Sequence, residues 1–284
     1  MSEVSFTTHK FVIPFNKYNE VIYLSPFGDL HSDSPLFDKD RWEDYCNWAK
    51  DKGAYLIGMG DYIDFMSGSE RKSIVATSLH STSLGALENH VSKQIEILAE
   101  NLEKCKDRII GLIEGNHHYK FSYGITSTQL LCQKLGCKYL GNSAFVRLIL
   151  KNENSRSNTI DIFAHHGRGS GRRLGTSINS LQDMLMIADA DIYLQGHDHK
   201  KQVAIMNRLY LPANNFGELD VRSKKIIFGR TGGFLKGYVN GQDSYVADAL
   251  LTPTDLGTIK IEMTPVRKVI NNKNERYIDL HASI

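Results

Sequence analysis

Short apolar runs alternate with amphipathic stretches along the first two thirds of the chain, and the pattern predicts strands alternating with helices. Val21 to Leu24 is an apolar run ending in Ser25-Pro26, which predicts a strand. From Asp38 to Lys52 the residues Trp42, Tyr45, Cys46 and Ala49 recur at helical spacing, and Gly53 follows as a stop. Tyr55 to Met59 reads as a second buried strand, completing a strand, helix, strand unit. The serine-rich stretch Ser67 to Ser83, with Glu70, Arg71 and Lys72, reads as an exposed loop bordering a cleft. Leu84, Leu87, Val91, Ile95, Leu98 and Leu102 mark a long amphipathic helix before a strand at Ile109 to Ile113.

A helix over Thr126 to Leu135 and strands at Ala144 to Leu150 and Thr159 to Ala164 follow, the two strands separated by a polar turn from Lys151 to Asn158. A helix over Ile178 to Ile187 and a short strand at Ile192 to Leu194 come next. Further strands are expected at Gln202 to Leu211, Lys225 to Gly229 and Thr258 to Met263, with little helix after Asn214. Alternation in the first half and strands in the second predict an α/β fold of two packed β-sheets with helices outside. With no repeat, low-complexity tract or linker, the expectation is a single domain over residues 1–284, its motifs within 21–199 and a strand-rich part over 200–284.

Composition changes this picture little. The chain is 41% hydrophobic and 23% charged, with a formal net charge of +2, so it lacks the strongly basic character of a nonspecific nucleic-acid binder. Cys46, Cys105, Cys132 and Cys137 show no CxxC spacing and read as reduced, mostly buried side chains. No stretch is apolar enough to span a bilayer and no secretory pattern opens the chain, so a cytoplasmic protein without a membrane role is expected.

The chemistry lies in five polar blocks, each placed just after an apolar run: Asp29 with His31, Asp61 with Asp64, Asn116 with His117 and His118, His165 with His166, and His197 with His199. They hold seven of the eleven histidines, so the clustering is not compositional scatter. In open α/β sheets, ligands collect beyond the carboxyl ends of strands, which is where the blocks fall. Oxygen and imidazole donors without thiolate suit divalent manganese, iron, zinc or nickel. In Gly196-His197-Asp198-His199 the two-residue spacing can send one imidazole to each of two ions, and Asp61 can bridge them because one carboxylate offers two oxygens. His9, His80, His90 and His281 lie outside the blocks and read as surface or satisfied core groups.

Over Val21 to His199, with all five blocks in order, the chain resembles the calcineurin-like metallophosphoesterase superfamily. The resemblance implies a four-layer αββα sandwich of two mixed sheets and two divalent metal ions, manganese first among the candidates. It implies that Asp29, His31, Asp61 and His199 bind one ion, and Asp61, Asn116, His165 and His197 the other. His165 and His166 are adjacent; His165 is favoured because it directly ends the strand and matches the family position. The resemblance makes His117 the general acid, held by Asp64, with a metal-bridging hydroxide attacking a phosphate ester.

Two departures matter. Phosphoprotein-directed members continue the second block as GDxxDRG and the third as GNHE, whereas Phe65 follows Asp64 and His118 follows His117 here. The departures weaken a phosphoprotein reading, and the resemblance to the family makes a phosphodiesterase or nuclease acting on nucleotides or nucleic acid the first expectation. The alternatives are a phosphomonoesterase of a nucleotide or small metabolite, and a noncatalytic interaction scaffold of the same fold. His118, His166, Arg168, Arg172 and Arg173 are the candidate substrate contacts, the three arginines lying among glycines in a basic loop. Arginines in such a loop are more often only solvated. Oligomeric state is left open.

Overall fold

The computed structural model describes residues 5–64, 80–152, 157–169, 171, 173–211, 221–270 and 273–284. Two six-stranded sheets form its centre. The first is built from β1 (Phe6–Pro14), β6 (Ser143–Lys151), β7 (Asn158–His165), β8 (Ile192–Gln195), β10 (Arg222–Thr231) and β9 (Lys201–Tyr210), in that spatial order. The second runs β12 (Lys273–Ser283), β11 (Lys260–Ile270), β2 (Ile22–Phe27), β3 (Tyr55–Gly58), β4 (Ile109–Leu112) and β5 (Lys138–Tyr139). Both are mixed: β2 to β5 are parallel while β11 and β12 are antiparallel, and β7, β8 and β10 are parallel while β9 returns antiparallel.

Period-two alternation sends each strand's side chains to two different cores. Ile57 and Met59 of the third strand segment, Val146 and Leu148 of β6, and Ile160, Ile162 and Ala164 of β7 meet between the sheets. On the outer face of the second sheet, Leu56 and Leu112 pack with Trp42 and Tyr45 of α1 (Lys39–Lys52), Val91 and Ile95 of α2 (Ser81–Leu102) and Leu131 of α3 (Ser127–Leu135). Phe163, Tyr193 and Phe228 carry the outer face of the first sheet under Leu181 of α4 (Leu174–Gln182). The layers are therefore helix, sheet, sheet, helix, as the resemblance implies. A short α5 (Tyr245–Asp248) lies in the segment before β11.

Helix ends follow local chemistry. Asp38 caps α1 by accepting from Arg41 N, and Gly53 closes it in the left-handed region at φ 57°. Thr126 and Gln129 form a reciprocal capping box at α3. Fully buried Trp42 packs against Phe27, Tyr45 and Phe234, and truncating it to alanine is expected to cost about 3–5 kcal/mol.

Several sequence expectations need correction. The helix expected over 178–187 begins at Leu174 and gives way to 3₁₀ geometry over Asp183–Met186. The strand expected at Thr258 to Met263 is instead Lys260–Ile270. The edge strands β1, β5 and β12 add to the strands expected from the sequence. The loop expected over Ser67 to Ser83 lies largely outside the described residues; its end forms the start of α2, where His80 accepts from Thr82 N. Cys46, Cys105 and Cys132 are buried and Cys137 is half-buried. Among the described residues, no helix is long and apolar enough to cross a membrane.

Candidate metal centre

The blocks occupy the turns that leave β2, β3, β4, β7 and β8 at their C-terminal ends, so parallel strands deliver them to one rim. Backbone bonds knit the turns together: Asp29 N donates to Gly60 O at 2.9 Å, and Leu30 N and His31 N donate to Asp61 O at 2.8 and 3.1 Å. Gly196 N donates to His166 O at 2.9 Å. Glycine is required where turns touch, since a Cβ on Gly115 would lie 2.1 Å from Asp61 N and Oδ1, and one on Gly196 2.8 Å from Asp29 Oδ2. Of seven described non-glycine residues with positive φ, five are candidate ligands: Asp29 at 48°, His31 at 47°, Asp61 at 51°, His197 at 75° and His199 at 55°. Left-handed backbone at such residues costs about 1–2 kcal/mol each and concentrates at functional sites.

Two clusters result. Asp29, His31 and His199 present donor atoms within 4.8 Å of one another, and Asp61, His166 and His197 do the same. Asp29 Oδ1 and His31 Nε2 are buried without a hydrogen-bond partner, and His199 Nε2 lies 3.7 Å from Asp29 Oδ1. A buried polar atom left unmatched is costly, so these donors fit a divalent ion. In the second cluster His166 Nε2 is 3.0 Å from Asp61 Oδ2 and 2.8 Å from Asn116 Oδ1, which also meets His197 Nδ1 at 2.8 Å. The same residue types and spacing suit a second ion.

The preference for His165 over His166 is not what the geometry gives. Ile160, Ile162 and Ala164 face the space between the sheets, and period two carries that phase to His166, not His165. His166 is buried and its Nδ1 donates to Met59 O at 2.7 Å, which aims Nε2 at Asp61 and Asn116. His165 is only half-buried and its Nδ1 accepts from Gly167 N at 2.8 Å. For the same reason His166 is not an open substrate contact.

Asp64 stands beside the first cluster. One of its oxygens lies 2.8 Å from His31 Nδ1 and 3.1 Å from His117 Nδ1. It therefore orients a candidate ligand imidazole as well as the candidate acid. His118 turns inward, its Nδ1 donating to Gly115 O at 2.8 Å and lying 3.3 Å from buried Glu114, which places it under the third turn rather than at the rim. Arg168 and Arg173 are exposed, and Arg172 lies outside the described residues.

Electrostatics in the metal-free centre are uneven. Burial raises the Asp29 carboxyl to about 7 against the pull of His166. Burial disfavours imidazolium at His166, yet the charge and hydrogen bond of Asp61 outweigh it and hold that ring at about 9. Asp61 is also desolvated, and His166 nonetheless keeps it far below the usual carboxylate range. Burial lowers His197 to about 4 and His199 to about 3, leaving both rings neutral as metal binding needs. Despite partial burial, hydrogen bonds from His117 and His31 keep Asp64 charged.

No family model and no curated protein sequence matches the chain. Solved structures are similar at low identity. One is a conserved uncharacterized protein, described as a predicted phosphoesterase, from Streptococcus pneumoniae TIGR4; it is 11% identical over 92% of this chain and 99% of that one, with a TM-score of 0.34. A double mutant of Vps29 from Entamoeba histolytica is 10% identical over 92% and 99%, at 0.33. GAP50 of Plasmodium, called the anchor in the inner membrane complex, is 13% identical over 93% and 88%, at 0.41. In its own layer order, and in the placement of five blocks at the strand ends, this chain resembles the calcineurin-like metallophosphoesterase superfamily.

Proposed function

We propose that the chain is a dinuclear, metal-dependent phosphoesterase whose substrate is a phosphodiester of a nucleotide or nucleic acid. The observation that carries this reading is the pair of His/Asp clusters on one rim, with Asp29 Oδ1 and His31 Nε2 buried and unmatched. Two divalent ions held there would supply positive charge for the phosphoryl oxygens and acidify water. Manganese is the first ion to test, with iron, zinc and nickel after it.

His117 would protonate the leaving oxygen. An alkoxide leaves poorly without a proton, and Asp64, 3.1 Å from His117 Nδ1, would orient the imidazole that gives it. Asp29, His31, His199, Asp61, Asn116, His166 and His197 would hold the ions. Exposed Arg168 and Arg173, downstream of the fourth turn, would grip non-reacting phosphate oxygens. Phe65 and His118, at positions where phosphoprotein-directed members carry arginine and glutamate, favour a diester over a phosphoprotein.

The test is a panel on manganese-reconstituted protein: single- and double-stranded DNA, RNA, cyclic nucleotides, nucleoside monophosphates and a phosphopeptide. Turnover of diesters is the expected result. Exclusive cleavage of monoesters would replace the diester reading with the monoesterase. Two bound ions without turnover of any ester would leave the noncatalytic scaffold.

A further inference from the structure

Behind the fifth turn lies a buried charged network that none of the five blocks contains. Arg230 stands on β10 opposite Gln195 of β8 and is 1% exposed. Its Nη1 donates to Gly196 O at 2.9 Å, its Nε and Nη2 donate to Ser177 O at 3.3 and 3.1 Å, and Nη2 also donates to Ser180 Oγ. Nε lies 3.6 Å from Asp198 Oδ2, which accepts the Ser177 hydroxyl. The other Asp198 oxygen accepts Lys200 N at 3.2 Å, and Lys200 Nζ donates to Gly171 O.

These contacts run in two directions only. Some hold residues 196–200, the turn that gives one imidazole to each cluster. The others hold Gly171 and, in the first turns of α4 just after exposed Arg173, Ser177 and Ser180. The guanidinium is a rigid planar fork, so contacts to Gly196 O and Ser177 O together fix the distance between the two segments. His197 and His199 both need left-handed backbone, a conformation that persists only where surroundings over-determine it. A buried ion pair adds little stability over an apolar replacement of the same volume. What it supplies here is geometry.

We propose that Arg230 is a positioning residue for the metal centre: through Gly196 O and Asp198 it fixes the turn presenting His197 and His199, and ties that turn to the segment bearing Arg173. This rests on the metal reading above. Arg230 touches neither ion nor substrate and acts through the ligand turn.

Mn²⁺ titration calorimetry on the full chain tests it, with the melting temperature of each metal-free protein measured alongside. The informative variant is R230M/D198N, which removes the Arg230–Asp198 pair at similar volume and unchanged net charge while leaving Lys200, 3.8 Å from Asp198 Oδ2, in place, so that a changed affinity reports geometry. The metal-free double variant is expected to fold with a lowered melting temperature, since Gly196 O and Ser177 O lose their Arg230 donors, and to bind Mn²⁺ about 10- to 100-fold more weakly. An Mn²⁺ Kd within about twofold of wild type overturns the role. If the double variant does not fold, R230K keeps the positive charge beside Asp198 but lacks the planar fork that reaches Gly196 O and Ser177 O together. It is expected to weaken Mn²⁺ binding several-fold, and an unchanged Kd again overturns the role. A wild-type chain that takes up none of Mn²⁺, Fe²⁺, Zn²⁺ or Ni²⁺ overturns the metal reading itself, and the positioning role with it. Wild-type uptake with unaltered variants overturns the positioning role alone.

Discussion

Across 168 positions of sequence, the backbone N–H of His197 donates to Asp29 Oδ2 at 2.9 Å. That bond occupies one oxygen of the first block's carboxylate with the backbone of the fifth, and leaves Oδ1 buried and unmatched beside His31 and His199. Asp29→Asn preserves size and can still accept from His197, but it places either an amide N–H₂ or an uncharged oxygen towards the ion. Metal analysis should find about one Mn²⁺ per chain where wild type holds two, with the fold intact by circular dichroism. Two ions retained at wild-type affinity would remove Asp29 from the ligand set.

The two adjacent histidines of the fourth block give a direct contrast. His166→Ala removes the partner of Asp61 and Asn116 and should abolish uptake of one ion and nearly all turnover. His165→Ala deletes a half-buried ring whose hydrogen bond goes to Gly167 N, so metal content should be unchanged and activity should fall less than about tenfold. The reverse pattern would restore His165 as the ligand.

His117→Ala should slow esters with alkoxide leaving groups by on the order of 10²–10⁴-fold, and nitrophenyl esters far less, because an activated leaving group needs no proton. Metal content should not change. Equal losses on both substrates would show that His117 is not the donor.

The metal-free protein should lose stability between about pH 6.5 and 9. His166 is held at about 9 in the folded chain, above its ordinary 6.5, so the stabilisation from that proton is complete below pH 6.5 and lost as pH rises through 9. Raised Asp29 acts in the same direction as pH passes about 7. His197 and His199, lowered to about 4 and 3, oppose this only below pH 6.5. Thermal melts in the presence of chelator should show the fall, and Mn²⁺ should flatten it by taking the place of the proton. A metal-free melting temperature that rises over this window would contradict the assignment.

Most of the rim could be read from the sequence because β2, β3, β4 and β8 are buried on both faces and appear as continuous apolar runs that stop at the blocks. β1 could not: in Phe6–Pro14 only Ile13 is buried, and Thr7, His9 and Lys10 break the run, as suits an edge strand. β12 carried a usable signal in Ile278, Leu280 and Ala282 alternating with Tyr277, Asp279 and His281, which pairs it with β11. The choice between His165 and His166 also carried one, since Ile160, Ile162 and Ala164 set the phase that His166 continues. Arg230 had none. Its burial depends on Ser177, 53 residues away, and nothing local distinguishes it from a solvated strand-end arginine.

The left-handed turns at Asp29, His31, Asp61, His197 and His199 have a consequence for motion. Because unfavourable backbone is gathered at the candidate ligand turns, opening of the protein without added metal should begin there while the paired strands beneath stay closed. Amide hydrogens of these five residues should exchange with deuterium sooner than those of β3 or β8, and added Mn²⁺ should slow them selectively, making the rim the part of the molecule whose rigidity the cations themselves create.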